Sequence, residues 1–132
     1  TKTDITDRDY LLTENIFAEE TDLRLYVETG DIQNALATMF TVQKGEDTVA
    51  KSLVTYRNLS MMTGGPNIVQ LDVANEWQNR GLWDWLLSCI EDFYVSKFQG
   101  ALGEHSDLLK ITAGNAEIRI RDNDGELRSD SY

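Results

Sequence analysis

The strongest constraint in this chain is one stretch, residues 68–93, which reads IVQLDVANEWQNRGLWDWLLSCIEDF. Val69, Leu71 and Val73 alternate with Gln70 and Asp72, the two-residue period of a strand over 68–73. From about residue 82 to 97 the period changes. Leu82, Leu86, Cys89, Ile90 and Phe93 recur at helical spacing, and Trp83, Leu87 and Tyr94 widen the apolar stripe beyond that of a surface helix. Asp84, Ser88, Glu91, Asp92 and Val95 are left for the other side. Such a helix calls for cover on more than one side, from a sheet and from further chain, a partner's included. Between strand and helix the chain breaks at Ala74 and Asn75 and turns through Gln78-Asn79-Arg80-Gly81.

The flanking segments supply the sheet. Thr6 with Asp9 three residues on forms a Thr-x-x-Asp box, which predicts a helix within residues 1–20 that buries Tyr10, Ile16 and Phe17 with Leu11 or Leu12. Leu23, Leu25 and Val27 alternate with Asp22, Arg24 and Tyr26, and Glu28-Thr29-Gly30-Asp31 reads as the turn that ends this strand. Residues 32–43 read two ways. Ile32, Ala35, Leu36, Met39 and Phe40 have helical spacing, whereas 37–42 is rich in β-branched and aromatic residues and runs into the hairpin turn Lys44-Gly45-Glu46-Asp47. The second reading is preferred, giving antiparallel strands at 35–43 and 48–57.

Thr63-Gly64-Gly65-Pro66-Asn67 is the sharpest break in the chain, and Met61 and Met62 before it suit a gap in the core. Beyond Gly100 and Gly103 the alternation of Leu109 with Ile111 and of Ile118 with Ile120 is β again, with turns at Ala113-Gly114-Asn115 and Asp122-Asn123-Asp124-Gly125. The second turn is not a calcium loop, because with Gly125 sixth the first and twelfth positions are Ile120 and Ser131. The expectation is a single α+β domain over 1–132: a mostly antiparallel sheet with an N-terminal helix and one long helix packed across a face.

Composition narrows the function. With one cysteine (Cys89) and one histidine (His105), an internal disulfide and any cysteine- or histidine-rich metal site are excluded, so no metal is expected. Cys89 sits on an apolar helix face without a neighbouring base, as an inert core thiol does, and His105 falls in a loop. Twenty-three acids against 12 bases give a formal charge of −11, which argues against direct nucleic-acid binding and suits a partner with a basic face. Solubility alone is the plainer account of that charge. No apolar run is long enough to span a bilayer, so the expectation is a soluble, intracellular, cytoplasmic protein, or one of the host cytoplasm if viral.

One constellation carries chemistry. Amides at a helix N-terminus lack intrahelical partners and carry partial positive charge, so the run Gln78, Asn79, Arg80, Gly81 and Leu82 can cradle an anion. Gly81 allows close approach, and Arg80 can add a charge-assisted bond. The same strand, loop and helix are also an ordinary way to turn a corner. Asp72 at the strand end is a weaker candidate, as a general base. Trp77, Trp83 and Trp85 crowd the corner, as aromatic interface anchors do.

The stretch from Leu71 to Phe93 resembles the acyl-CoA binding motif of the GNAT family of N-acetyltransferases. There a strand ending in Val leads to an Arg/Gln-x-x-Gly-x-Gly/Ala loop and a helix bearing Leu-Leu. Val73, Glu76, Trp77, Gln78, Gly81, Leu86 and Leu87 fall on matching positions. The resemblance implies acetyl-CoA as cofactor, its pyrophosphate on the amides from Gln78 to Leu82 and its pantetheine arm along the main chain of Asp72 and Val73. It also implies that the helix opening near Ile5 and the 35–57 hairpin are that family's first helix and its second and third strands. Trp83 departs from the motif, which has a small residue there. The tyrosine that often serves as general acid in that family has no counterpart beyond Tyr94 except the terminal Tyr132.

Two functions follow. The preferred one is an acidic, non-catalytic protein-interaction module without a cofactor, an inhibitor, a chaperone or an assembly or virion subunit, able to form homo-oligomers and set on a degenerate acetyltransferase-like fold. The alternative is a small acyl-CoA-dependent N-acetyltransferase.

Overall fold

The structure, a computed structural model, describes residues 2–11, 22–32, 35–56, 66–102, 110–113 and 116–120. Among these, seven strands lie side by side in chain order: β1 (Thr3–Asp4), β2 (Leu23–Ile32), β3 (Ala35–Lys44), β4 (Asp47–Tyr56), β5 (Pro66–Val73), β6 (Lys110–Ala113) and β7 (Ala116–Ile120). One long helix, α1 (Leu82–Leu102), lies between β5 and β6 in the chain. All neighbouring strands pair antiparallel except β5 and β6, which run parallel. A parallel pair needs a crossover, and α1 lies within it. The class is therefore α+β on a mostly antiparallel sheet.

Register sorts the side chains into rows on the helix-facing side. Leu25, Val42, Ala50 and Val73 make one row, Val27, Phe40, Ser52 and Leu71 the next, and Thr38, Val54 and Ile68 a third. Helix α1 covers these rows. The Phe40 ring stands edge-on to Phe93 at 5.2 Å and to Tyr94 at 6.0 Å. Leu25, Phe40, Leu86 and Ile90 are fully buried, each such side chain contributing about 1.5–3 kcal/mol relative to exposure.

Ile32 and residues 35–43 are strand, and 33–34 lie outside the described residues. The β3–β4 hairpin closes between Lys44 and Asp47, with Gly45 at φ 62°, the left-handed backbone that a tight hairpin turn places on glycine. Helical spacing in 32–40 loses to pairing on both sides, since β3 has β2 and β4 as neighbours.

Four expectations are corrected. Residues 6–11 do not begin a helix: β1 pairs with β2, and turns follow it, with Arg8 N–H donating to Ile5 O and Leu11 N–H to Arg8 O. Thr6 caps nothing. Its amide and hydroxyl both donate to Asp4 Oδ1, at 2.9 and 2.6 Å, and its hydroxyl accepts from Leu25 N–H at 2.8 Å, which fastens the turn to β2. The rest of the expected N-terminal helix, 12–20, lies outside the described residues, as do Met61, Met62, His105 and the 122–125 turn.

The second correction is to 28–31, which does not turn. The β2–β3 ladder continues to Ile32 opposite Ala35, so cross-strand pairing overrides Gly30. Third, α1 continues through Gly100 to Leu102, where the sequence suggested an end near 97. Fourth, Glu91 and Asp92 are 1% and 5% exposed, not on an open polar side, because the helix is covered around much of its circumference.

Candidate functional site

The site begins with a mismatch between sheet and helix. Along the row Val27, Phe40, Ser52 and Leu71, the first three residues are buried and Leu71 is 38% exposed. The cover fails at β5 because the chain spends residues 74–81 on a corner before α1 begins. Ala74 N–H is tied to Val49 O, a 3₁₀ turn (Asn75–Trp77) follows, and Asn79 and Gly81 take φ 63° and 83°. Gly81 O then accepts from Trp85 N–H at 3.1 Å, the first bond of the helix. Asparagine and glycine are the residues that enter this backbone region most readily, so the sequence Asn79-Arg80-Gly81 suits the loop.

The result is a groove of about 440 Å³ between the end of β5 and the start of α1. Leu71 and Val73 form its strand wall, Gln78, Asn79 and Gly81 its loop wall, and Leu82, Trp83 and Asp84 its helix wall, with Trp77 also contributing. Gln78 braces the loop against the strand, its Nε2 donating to Val73 O at 3.1 Å and Asn75 Oδ1 at 3.3 Å.

Sequence-predicted residues divide at this groove. Val73, Gln78, Asn79, Gly81 and Leu82 all line it. Asp72 does not: strand alternation turns its side chain to the other face, where it accepts from Gln70 Nε2 at 2.7 Å. Arg80 does not line it either, and its guanidinium lies 4.0 Å from the Trp77 ring centroid, with Lys44 Nζ at 5.8 Å. Trp77 and Trp85 are core residues, 5% and 6% exposed, so of the three tryptophans only Trp83, half-buried on the groove wall, offers surface to a partner. Sequence reasoning missed Leu71 and Asp84 as lining residues. Leu71 was within reach, because it shares a strand face with Val73; Asp84 needed the helix start to be placed against the groove.

Register also fixes which backbone groups face the groove. The Ala74–Val49 bond makes 74 and 49 a directly bonded antiparallel pair, and such pairs recur at alternate residues. Gln70 and Asp72 therefore direct their N–H and C=O groups toward β4, and Leu71 and Val73 direct theirs away from it. The main-chain groups of Asp72, expected to face a ligand, point toward β4 instead. On this side β6 pairs only with Asn67 and Ile68, after a bulge that leaves Val69 as the extra residue opposite Leu53 and Val54.

Electrostatically the corner is acidic. From Pro66 to Asp84 it carries Asp72, Glu76 and Asp84 against Arg80 alone. Cys89 is 1% exposed, and its thiol is pushed up to about 12 by burial first and by the Asp92 charge second, so it is no nucleophile at neutral pH. Among the described residues no group of three His, Cys, Asp or Glu side chains is placed to hold a metal ion, and no helix is long and apolar enough to cross a membrane. No family model matches the chain, and neither a curated protein nor a solved structure is significantly similar to it.

Proposed function

We propose that the chain is an acidic protein-interaction module whose partner presents a cationic segment to the groove between β5 and α1. The observation that supports this most is the groove's lining: apolar walls from Leu71, Val73, Leu82 and Trp83 carry one charged side chain, the carboxylate of Asp84. A polyanion meets the wrong sign here, since Asp84 already occupies the favourable field of the helix's first turn and Arg80 lies against Trp77. A lysine or arginine fits better, its alkyl stem on the apolar walls and its head toward the carboxylate. The net charge of −11 speeds the encounter with such a partner. Titrating the protein with a lysine-rich peptide and following tryptophan fluorescence tests this. Binding that weakens with added salt and is reduced in Trp83→Ala and Asp84→Asn is expected; no binding at low salt overturns the reading.

One observation favours a second reading, an acyl-CoA-binding domain on the N-acetyltransferase plan. Two left-handed residues, Asn79 and Gly81, open a helix N-terminus beside a strand edge, an arrangement able to hold phosphate and an extended amide chain together. A rise in melting temperature with millimolar acetyl-CoA is the outcome it requires, and Trp83→Ala should then strengthen binding by clearing room for the phosphates.

A further inference from the structure

We propose that the partner's cationic segment docks as an added β-strand on the edge of β5 at 71–73. This rests on the reading of the groove as a protein-docking site and adds the mode of attachment. Three features carry it. Register turns the N–H of Leu71, the C=O of Leu71 and the N–H of Val73 toward the groove, and among the described residues no strand pairs with 69–73 on that side. The Val73 carbonyl is already engaged by Gln78 Nε2, so the docking edge is short and ends there. Val69 and Leu71 are 51% and 38% exposed, the two large apolar side chains that stand out on the described surface, and both belong to this strand.

An exposed strand edge is a template for pairing, and folded proteins ordinarily blunt it with charge, shortness or cover. The other end of the sheet is blunted in that way. Strand β1 is two residues long, and its Asp4 is held by Arg24. On β5 the residues lining the groove are Leu71 and Val73, Asp72 between them turns to the other face with Gln70, and the one charged residue of the lining is Asp84, on the helix wall. An extended segment bonded to Leu71 and Val73 places alternate side chains over the groove. A lysine or arginine among them reaches toward Asp84 and lays its alkyl stem along Leu71 and Trp83. Charge complementarity selects a basic strand over an acidic one, and the short edge favours a linear segment over a folded surface.

The test uses a short blocked peptide of alternating lysine and valine, read by calorimetry and by amide exchange in NMR. In a strand, alternate amides point to opposite edges, so two further peptides are made, one N-methylated at the lysines and one at the valines. The unmodified peptide should bind and slow exchange at the Leu71 and Val73 amides. One methylated peptide should bind about as well, and the other at least about tenfold more weakly, the loss expected from breaking backbone hydrogen bonds. Equal binding of all three peptides, or unchanged exchange at 71 and 73, overturns strand addition and leaves the acidic-module reading standing on side-chain contacts. Failure of the unmodified peptide to bind at low salt removes both.

Discussion

The two halves of β5 have nearly the same amino-acid chemistry and opposite fates. Pro66 and Ile68 are buried where the strand is flanked by β4 and β6, whereas Val69 and Leu71, equally apolar, are exposed where, among the described strands, β4 alone flanks it. Ile68 at 6% exposure and Leu71 at 38% even face the same side of the sheet. What separates them is cover. The bulge at Val69 falls where β6 pairing stops, and the corner at 74–81 delays α1. An apolar strand is thus half core and half surface, and its surface half is where a partner gains most by burial.

The comparison is sharpened first by truncating both halves in the same way. Ile68→Ala should cost about 2–5 kcal/mol in urea unfolding, as a buried aliphatic truncation does. Leu71→Ala, which leaves little cavity, should stay under about 1 kcal/mol while weakening peptide binding. Equal losses would mean that Leu71 is core and the groove is closed. Next comes Gly81, whose φ of 83° lets the corner turn into α1. Gly81→Ala should cost about 1–2 kcal/mol from the left-handed backbone alone and displace the helix start, so groove binding should fall with stability. A substitution without cost would mean that the loop relaxes and does not set the groove's shape.

Much of this contrast was legible in the sequence. Alternation at 69–73 and the helical spacing from Leu82 were enough to place the strand, the corner and the helix, because both elements are long and strongly periodic. The groove-lining set from Gln78 to Leu82 followed from the helix start, apart from Arg80. The misses have one physical origin: they depend on what the rest of the chain lays against an element. Gly30 reads as a turn until a ten-residue ladder with β3 carries the strand through it. Glu91 and Asp92 read as solvent-facing until the helix is covered on that side. Trp77 and Trp85 read as interface anchors with Trp83, and only packing separates the buried pair from the half-buried one.

The covered side of α1 can be probed through Cys89. Its thiol is raised to about 12, chiefly by burial, whereas an unfolded thiol ionises near its ordinary value. Stability should therefore begin to fall as pH rises above the unfolded value and go on falling until about 12, because only the unfolded chain releases that proton. At pH 8 the native protein should resist iodoacetamide and the denatured chain should react. Native alkylation as fast as that of the denatured chain would show that the helix face opens readily, which would erase the contrast between covered helix and uncovered strand end.

The smallest effect lies at the opposite edge of the sheet, where β1 blunts what β5 leaves open. Asp4 accepts from both the amide and hydroxyl of Thr6 and from Arg24 Nε at 2.9 Å, and Arg24 also reaches Asp7. Burial alone would raise the Asp4 pKa, but the hydrogen bonds from Thr6 and then Arg24 outweigh it and hold the carboxyl below its ordinary value. A lowered folded pKa means that the contribution is complete above the unfolded value and disappears as pH falls through the folded one. Since Asp4 and Arg24 are each about a third exposed, solvent screening keeps the pair to under about 1 kcal/mol. Asp4→Asn should therefore lower the urea midpoint slightly at pH 7 and make the loss of stability between neutral and acid pH shallower than in the parent. If the acid slope is unchanged, the ion pair does not secure this edge, and the two-residue length of β1 alone must account for the contrast with β5.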